Sequence, residues 1–399
     1  MSPHLNQKTR FHSSDNKLHG QNIICFAKDW NEDPTSCNHV LNELSKNNKV
    51  LWLNSISTRT PNFSSGRDVR KIIRKVKDFL SGPQQKSENL WVYTPIVLPF
   101  PKSKFSTYIN LWILRLTFHV LIKKLKLSHF ILWTFVPTSE PYCQSLGGDW
   151  IIYYCTDSFS NFTSVDTELI SNMIRNQARK ADVVFATSNL LVEELREFNP
   201  NTHLASHGVN YEQFSRALFE ETEVPAELAS LPKPVLGYYG LIEDWMDQNL
   251  LVYLAERHPD WSIALIGKSC VDTSILEAHP NIHLLGRKPH SLLPNYCKGF
   301  SVGLIPHHVN ELTKHMNPIK LREYLCAGLP IVSTDLPEVH YYGEHCKVAE
   351  SYEEFERAIQ MILHTDTPEL RRKRSESMKE EGWGGKVEKI GNTIMSLKL

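Results

Sequence analysis

The sequence predicts an α/β fold of two doubly wound, Rossmann-like domains, and three observations carry that expectation. Short apolar runs rich in Val, Ile, Tyr and Phe alternate with helical patterns along most of the chain, as in parallel sheets wrapped by helices. The alternation breaks once, over the polar, acidic and Pro-containing stretch 207–234, and then resumes. A length of 399 residues suits two such domains.

A polar tail over residues 1–20 opens the chain and lacks the apolar segment of a signal peptide. First-domain strands are expected at NIICFA (22–27), KVLWLN (49–54), LWVYTP (90–95), FILWTFVP (130–137), WIIYYCTD (150–157) and ADVVFATS (181–188), within a domain spanning 21–206. Residues 207–234 read as an interdomain connection. PVLGYYG (234–240), WSIALIG (261–267), IHLLG (282–286), SVGLIP (301–306), PIVSTD (330–335) and CKVAE (346–350) then form a second domain over 235–378, and 379–399 reads as a closing helix. Two such domains are expected to face one another across a cleft at the carboxyl ends of their strands.

Composition narrows the function classes. Hydrophobic content of 41% and aromatic content of 10% exclude a disordered chain. A net charge of zero argues against a nucleic-acid partner. That neutrality hides thirteen Lys/Arg against Asp68, Asp78 and Glu88 between Arg67 and Leu127, a local balance of +10. The helix RDVRKIIRKVKDFL (67–80) sets Val69, Ile72, Ile73, Val76, Phe79 and Leu80 in an apolar stripe opposite its basic residues. A more hydrophobic helix over 108–127 ends in Lys123, Lys124 and Lys126. The apolar stripe is expected to pack in the first domain's core, and part of the charge over 67–127 to meet an anionic membrane surface. No uncharged run is long enough to span a bilayer.

Eight cysteines show neither CxxC nor metal-ligand spacing, and no His spacing suggests a metal. Cys25, Cys155 and Cys326 read as small buried hydrophobes with free thiols, which points to a reducing, cytoplasmic setting.

The stretch NPIKLREYLCAGLPIVSTD (317–335) carries the chemistry. Asn317-Pro318 reads as an N-cap followed by Pro at the first helical position, and Gly328 as the residue just past the helix end. Leu321, Tyr324 and Leu325 recur at helical spacing and should be buried. Lys320 and Glu323 share a face near the helix start. Free N–H groups, the positive dipole end and a Lys suit a phosphate, and the Glu suits sugar hydroxyls. A solvated ion pair on a surface helix is the alternative reading.

These residues, with WIIYYCTDSFSNF, KADVVFATSNLLVEEL, HGVNYEQF, GYYGLIEDWMDQN and NIHLLGRKPHSLLPNYCKGFSVGLIP, give the chain its resemblance. It resembles GT-B-fold glycosyltransferases of retaining family 4 type, and among them the branch making teichuronic acid and other bacterial surface polysaccharides. The likeness runs from about residue 21 to 390. It implies transfer from a nucleotide-sugar to a lipid-linked or glycan acceptor, without a bound cofactor or metal, at the inner face of the cell membrane. It implies that Glu323 contacts the ribose, that Lys320 and nearby N–H groups hold the diphosphate, and that Gly240 lets backbone approach the donor. Two departures stand out. His315 occupies the place of the first Glu of the family's Glu-x(7)-Glu motif. The Arg and Lys that usually follow the first strand of the second domain are absent, leaving Lys268, Arg287 or Arg322 to supply charge or to be surface residues. Arg322 is expected at the surface. Asp157 could meet the sugar or acceptor, or cap the next helix. Two rivals accompany this reading: a UDP-sugar 2-epimerase, and a degenerate subunit that positions an active glycosyltransferase.

Overall fold

The computed structural model describes residues 18–32, 34–56, 66–159 and 166–397, with backbone alone for 66–69 and 71. Most of the expected tail and the Val69 side chain lie outside the described residues. The chain divides into two units: residues up to Ser206 together with Lys386 onward, and His207–Gly385.

The first unit runs β1 (Asn22–Phe26), α1 (Ser36–Ser45), β2 (Lys49–Leu53), α2 (Gly66–Leu80), β3 (Gln84–Ser87), β4 (Leu90–Tyr93), α3 (Lys104–Leu125), β5 (Phe130–Thr134), α4 (Glu140–Leu146), β6 (Trp150–Cys155), α5 (Thr167–Lys180), β7 (Val183–Ala186), α6 (Asn189–Arg196) and β8 (Thr202–Leu204). Its sheet has the order β3-β4-β2-β1-β5-β6-β7-β8. All pairings are parallel except β3 with β4. Both faces of a parallel sheet are covered by helices, so its inner strands are apolar throughout. Ile131, Leu132, Ile152, Tyr153, Val183 and Val184 are all fully buried.

The second unit runs α7 (Tyr211–Phe214), α8 (Ala226–Ala229), β9 (Val235–Tyr239), α9 (Gln248–Arg257), β10 (Ser262–Ile266), α10 (Ser274–Glu277), β11 (Ile282–Gly286), α11 (Leu293–Gly299), β12 (Val302–Ile305), α12 (Glu311–Lys314), α13 (Ile319–Cys326), β13 (Ile331–Thr334), α14 (Pro337–His340), β14 (Cys346–Ala349), α15 (Tyr352–Thr365), α16 (Pro368–Glu376) and the start of α17 (Trp383–Ser396). The sheet order is β11-β10-β9-β12-β13-β14, parallel throughout. Strand order reverses at β9, the switch point where ligands bind in such sheets.

Three expectations need correction. The stretch 207–234 is not a bare connection: Val209, Phe214, Ala217 and Leu228 enter the second unit's core with Tyr239, Phe300 and Tyr324. Val209 lies in an isolated bridge and the others in short helical turns, too sparsely spaced to show a period. The boundary after 378 also moves, because α17 starts in the second unit and continues from Lys386 in the first. Finally, the stripe on α2 is not core: Ile73, Val76 and Leu80 are exposed, while Phe79 packs inward. α3 likewise buries only one side and leaves Phe105, Tyr108, Trp112, Leu116 and Val120 exposed. By length and composition α3 is the one described helix able to cross a membrane.

Candidate functional site

The carboxyl ends of β9 and β12 flank the switch point, and α13 packs beside them. β9 ends in Tyr238-Tyr239 and is followed by Gly240; Pro306 and His307 follow β12. Leu321, Tyr324 and Leu325 are fully buried, which anchors α13, and Gly328 takes the left-handed backbone expected beyond its end.

The start of α13 differs from the expected cap. Pro318 is the N-cap and makes no side-chain bond. Asn317 is buried, donates to Glu338 Oε2 at 2.8 Å and accepts from Arg322 Nη1 at 2.5 Å. Two buried partners turn its amide away from the helix N–H groups. Arg322, expected at the surface, is 2% exposed, 3.5 Å from Glu381 and 5.1 Å from the Tyr342 ring centroid. It lies between Leu321 and Glu323 on the inward side of the helix and braces the chain.

Lys320 turns the other way. Its Nζ donates to the Tyr238 hydroxyl at 2.9 Å and lies 4.1 Å from that ring's centroid. Desolvation lowers its pKa to about 7, opposed in part by the Glu323 carboxylate. Gly240 has a φ of +139°, and a Cβ there would lie 3.1 Å from Lys320 Nζ. On the adjacent strand end, a Cβ at Gly267 would meet the Gly240 carbonyl oxygen at 1.7 Å. Only glycine fits Gly267, and the pair leaves bare backbone beside an ammonium group.

Glu323 is held at both oxygens. Tyr239 donates to Oε2 at 2.9 Å, and His290 Nε2 lies 3.0 Å from Oε1. Gln213 fixes the ring: its amide nitrogen donates to the His290 carbonyl at 2.9 Å and stands 3.2 Å from Nδ1. Nδ1 therefore accepts, and the proton sits on Nε2, where it is donated to Glu323. His307 is buried, edge-on to Tyr238 at 6.5 Å, with neither ring nitrogen hydrogen-bonded. Burial and the nearby Lys320 press its pKa well below the usual imidazole value, so it is neutral.

Among the expected residues, Gly240, Lys320 and Glu323 thus meet in one cluster. Lys268 and Arg287 are exposed beyond the ends of β10 and β11. His315 caps the end of α12 and donates from Nδ1 to the Glu311 carbonyl at 2.6 Å. Asp157 lies in the first unit just past β6, and burial pushes its carboxyl up to about 7. The N-cap of α5 is Asp166, and 160–165 lie outside the described residues. Sequence reasoning missed Tyr239, His290, Gln213, His307 and Gly267. Only Gly267, ending a strand as Gly240 does, carried a local signal. No group of three His, Cys, Asp or Glu among the described residues could hold a metal. The first unit has its own polar pocket past β1, β2 and β4. Asp29, Asn54, Lys75 and Thr94 line it, with Asp29 accepting from Ser55 Oγ at 2.7 Å.

No family model matches the chain. A solved sucrose-phosphate synthase from Thermosynechococcus elongatus superposes with a TM-score of 0.69 at 14% identity, covering 94% of this chain and 99% of that one. Anabaena HepE, solved in complex with UDP and glucose, superposes with a TM-score of 0.65 at 11% identity, covering 94% and 100%. The fold is GT-B. In sequence, this GT-B chain is 26% identical over 222 residues to a Bacillus subtilis protein named as a teichuronic acid biosynthesis glycosyltransferase, TuaH. That match takes in 52% of this chain and 55% of the relative, so the chain spans about half the length of the curated relative it matches. The resemblance to GT-B glycosyltransferases is borne out. Within the GT-B fold, the Lys320–Glu323 cluster occupies the switch point of the second unit.

Proposed function

We propose that the chain is a glycosyltransferase that moves a sugar from a nucleotide-sugar to a lipid-linked or glycan hydroxyl, with retention, in surface polysaccharide synthesis. The observation that carries this reading is the meeting of Lys320 and Glu323 with Gly240 at the β9/β12 switch point. Lys320 and the first N–H groups of α13 neutralise the leaving diphosphate, which spares the reaction a metal. Glu323, its orientation fixed by Tyr239 and His290, receives the ribose hydroxyls. Lys268 and Arg287 reach toward the phosphates, Asn317 braces the entry to α13, and His315 stands near the donor sugar. Asp157 and the pocket around Asp29 and Lys75 serve the acceptor in the first unit. The protein works in the cytoplasm at the inner face of the membrane, drawn there by the basic stretch 67–127. HepE's complex with UDP and glucose and the likeness to TuaH support this choice of donor and pathway.

Nucleotide release from a panel of nucleotide-sugars, with a polyprenyl-phosphate-linked glycan as acceptor, tests it. One donor should be turned over with a glycosylated product of retained configuration. Nucleotide binding without turnover of any donor would instead support the partner-subunit reading, for which the His at position 315 speaks.

A further inference from the structure

α3 is a helix of two opposite characters. Its inward side places Leu114, Phe118 and Leu121 in the first unit's core with Leu51, Leu53 and Leu132. Asn110, also inward, accepts from Leu98 N at 2.6 Å and donates to the Tyr142 hydroxyl at 3.2 Å. Its outward side carries Phe105 (73% exposed), Tyr108 (59%), Trp112 (56%), Leu116 (68%) and Val120 (53%). Steps of three and four put all five on one face, along roughly 22 Å of helix axis. Large apolar side chains exposed together on one face mark contact sites.

The geometry points to insertion of this face into an anionic lipid bilayer, with α3 lying flat in the interface. This deepens the membrane contact proposed above by naming the apolar side chains that enter the lipid. Charge selects the occupant. Residues 104–127 contain no Asp or Glu, and exposed Lys104 stands at one end with exposed Lys123, Lys124 and Lys126 at the other. An apolar stripe with cations at its ends suits acyl chains beneath anionic headgroups, whereas an interface between two copies would bring like charges together. Tyr108 and Trp112, in edge contact at 6.3 Å, are the aromatic types that settle at a membrane–water boundary. α2 adds Ile73, Val76 and Leu80, exposed at one-face spacing beside exposed Arg70, Arg74 and Lys77. Phe79 of α2 packs on Tyr93 in the core that also receives Leu114 and Phe118 of α3, so both helices are fixed to the same core. The helix lies flat rather than spans. Crossing the bilayer would strip Leu114, Phe118 and Leu121 from the sheet and leave Asn110 without its partners.

The test is sedimentation of the full chain with vesicles of phosphatidylcholine alone and of phosphatidylcholine with phosphatidylglycerol. Wild type should bind the anionic vesicles and keep part of that binding in high salt. Trp112→Ser with Leu116→Ser should weaken it about tenfold or more and abolish the salt-resistant part. Lys123, Lys124 and Lys126 all changed to Gln should reduce the preference for anionic lipid and spare the salt-resistant part. A wild-type thermal unfolding profile certifies the fold of the Ser variant, and its UDP affinity, unchanged, tests the donor site of the second unit separately. Wild-type vesicle binding by the Ser variant would overturn the inference. So would a wild-type dimer in sedimentation velocity that binds no vesicles and that the Ser variant dissociates.

Discussion

Glu323 and His290 lie 33 positions apart in the chain, yet Oε1 of one stands 3.0 Å from Nε2 of the other. With Tyr239 on the second oxygen, the carboxylate is aimed before any ligand arrives. His290→Ala should therefore weaken UDP binding about tenfold, the loss of one charge-assisted hydrogen bond. His290→Gln, which can still donate, should recover part of it. Calorimetry on the two variants checks this; equal affinity in wild type and His290→Ala would leave His290 a packing residue only.

Lys320 sets a pH dependence with a defined sign. Its pKa is lowered to about 7 by desolvation, and a bound diphosphate would raise it. Below about 7 the ammonium is already formed; above that, binding must take up a proton, and affinity falls as pH rises. UDP affinity should thus decline between pH 7 and 9, with proton uptake visible as a buffer-dependent heat at pH 8. Lys320→Arg should flatten the profile, and Lys320→Ala should cost ~1.5–3 kcal/mol of nucleotide binding. A flat wild-type profile would remove Lys320 from the phosphate site.

The glycine pair makes a stability prediction. A Cβ at Gly267 would stand 1.7 Å from a backbone oxygen, which no side-chain rotation relieves. Gly267→Ala should destabilise the second unit by ~3 kcal/mol or more. Gly240→Ala meets only side-chain ends, those of Lys320 and Tyr238, but keeps a strained φ, so it should cost less stability and more nucleotide affinity. Thermal unfolding with and without UDP separates the two.

How far the sequence was legible follows from the range of each interaction. The strands were legible because burial on both faces leaves uninterrupted apolar text, as in Ile151–Cys155. β3 was not: its QQKS is polar and exposed, and only pairing with β4 makes it a strand. Lys320 and Glu323 could be found because they share one helical turn. His290 and Gln213 could not, since their partners come from distant segments brought together by the sheet. Arg322 was misplaced because charge alone does not reveal which side of a short helix faces the core. The exposed face of α3 was hidden for the converse reason: apolar text predicts burial, and only packing shows that the sheet can cover one side.

His315 is the place where the family pattern departs. If the His315 ring serves the donor sugar, His315→Glu should preserve or raise turnover and His315→Ala should lower it. Its Nδ1 bond to Glu311 also closes α12, so His315→Ala should cost ~1 kcal/mol in stability. Steady-state kinetics beside thermal unfolding tell the two effects apart; unchanged turnover in both variants would confine His315 to the helix end.

The last helix carries a consequence for biosynthesis. From Lys386 onward α17 belongs to the first unit: Lys386 Nζ bonds Ser206 Oγ at 3.1 Å, and a Cβ at Gly391 would lie 3.2 Å from Leu18. The unit translated first is thus completed last, and its apolar seat for Ile390 and Ile394 stays open while the other half is still on the ribosome. A stop codon at position 383 should therefore injure the opposite end of the sequence. The nascent first half is the species on which a chaperone would be expected to act.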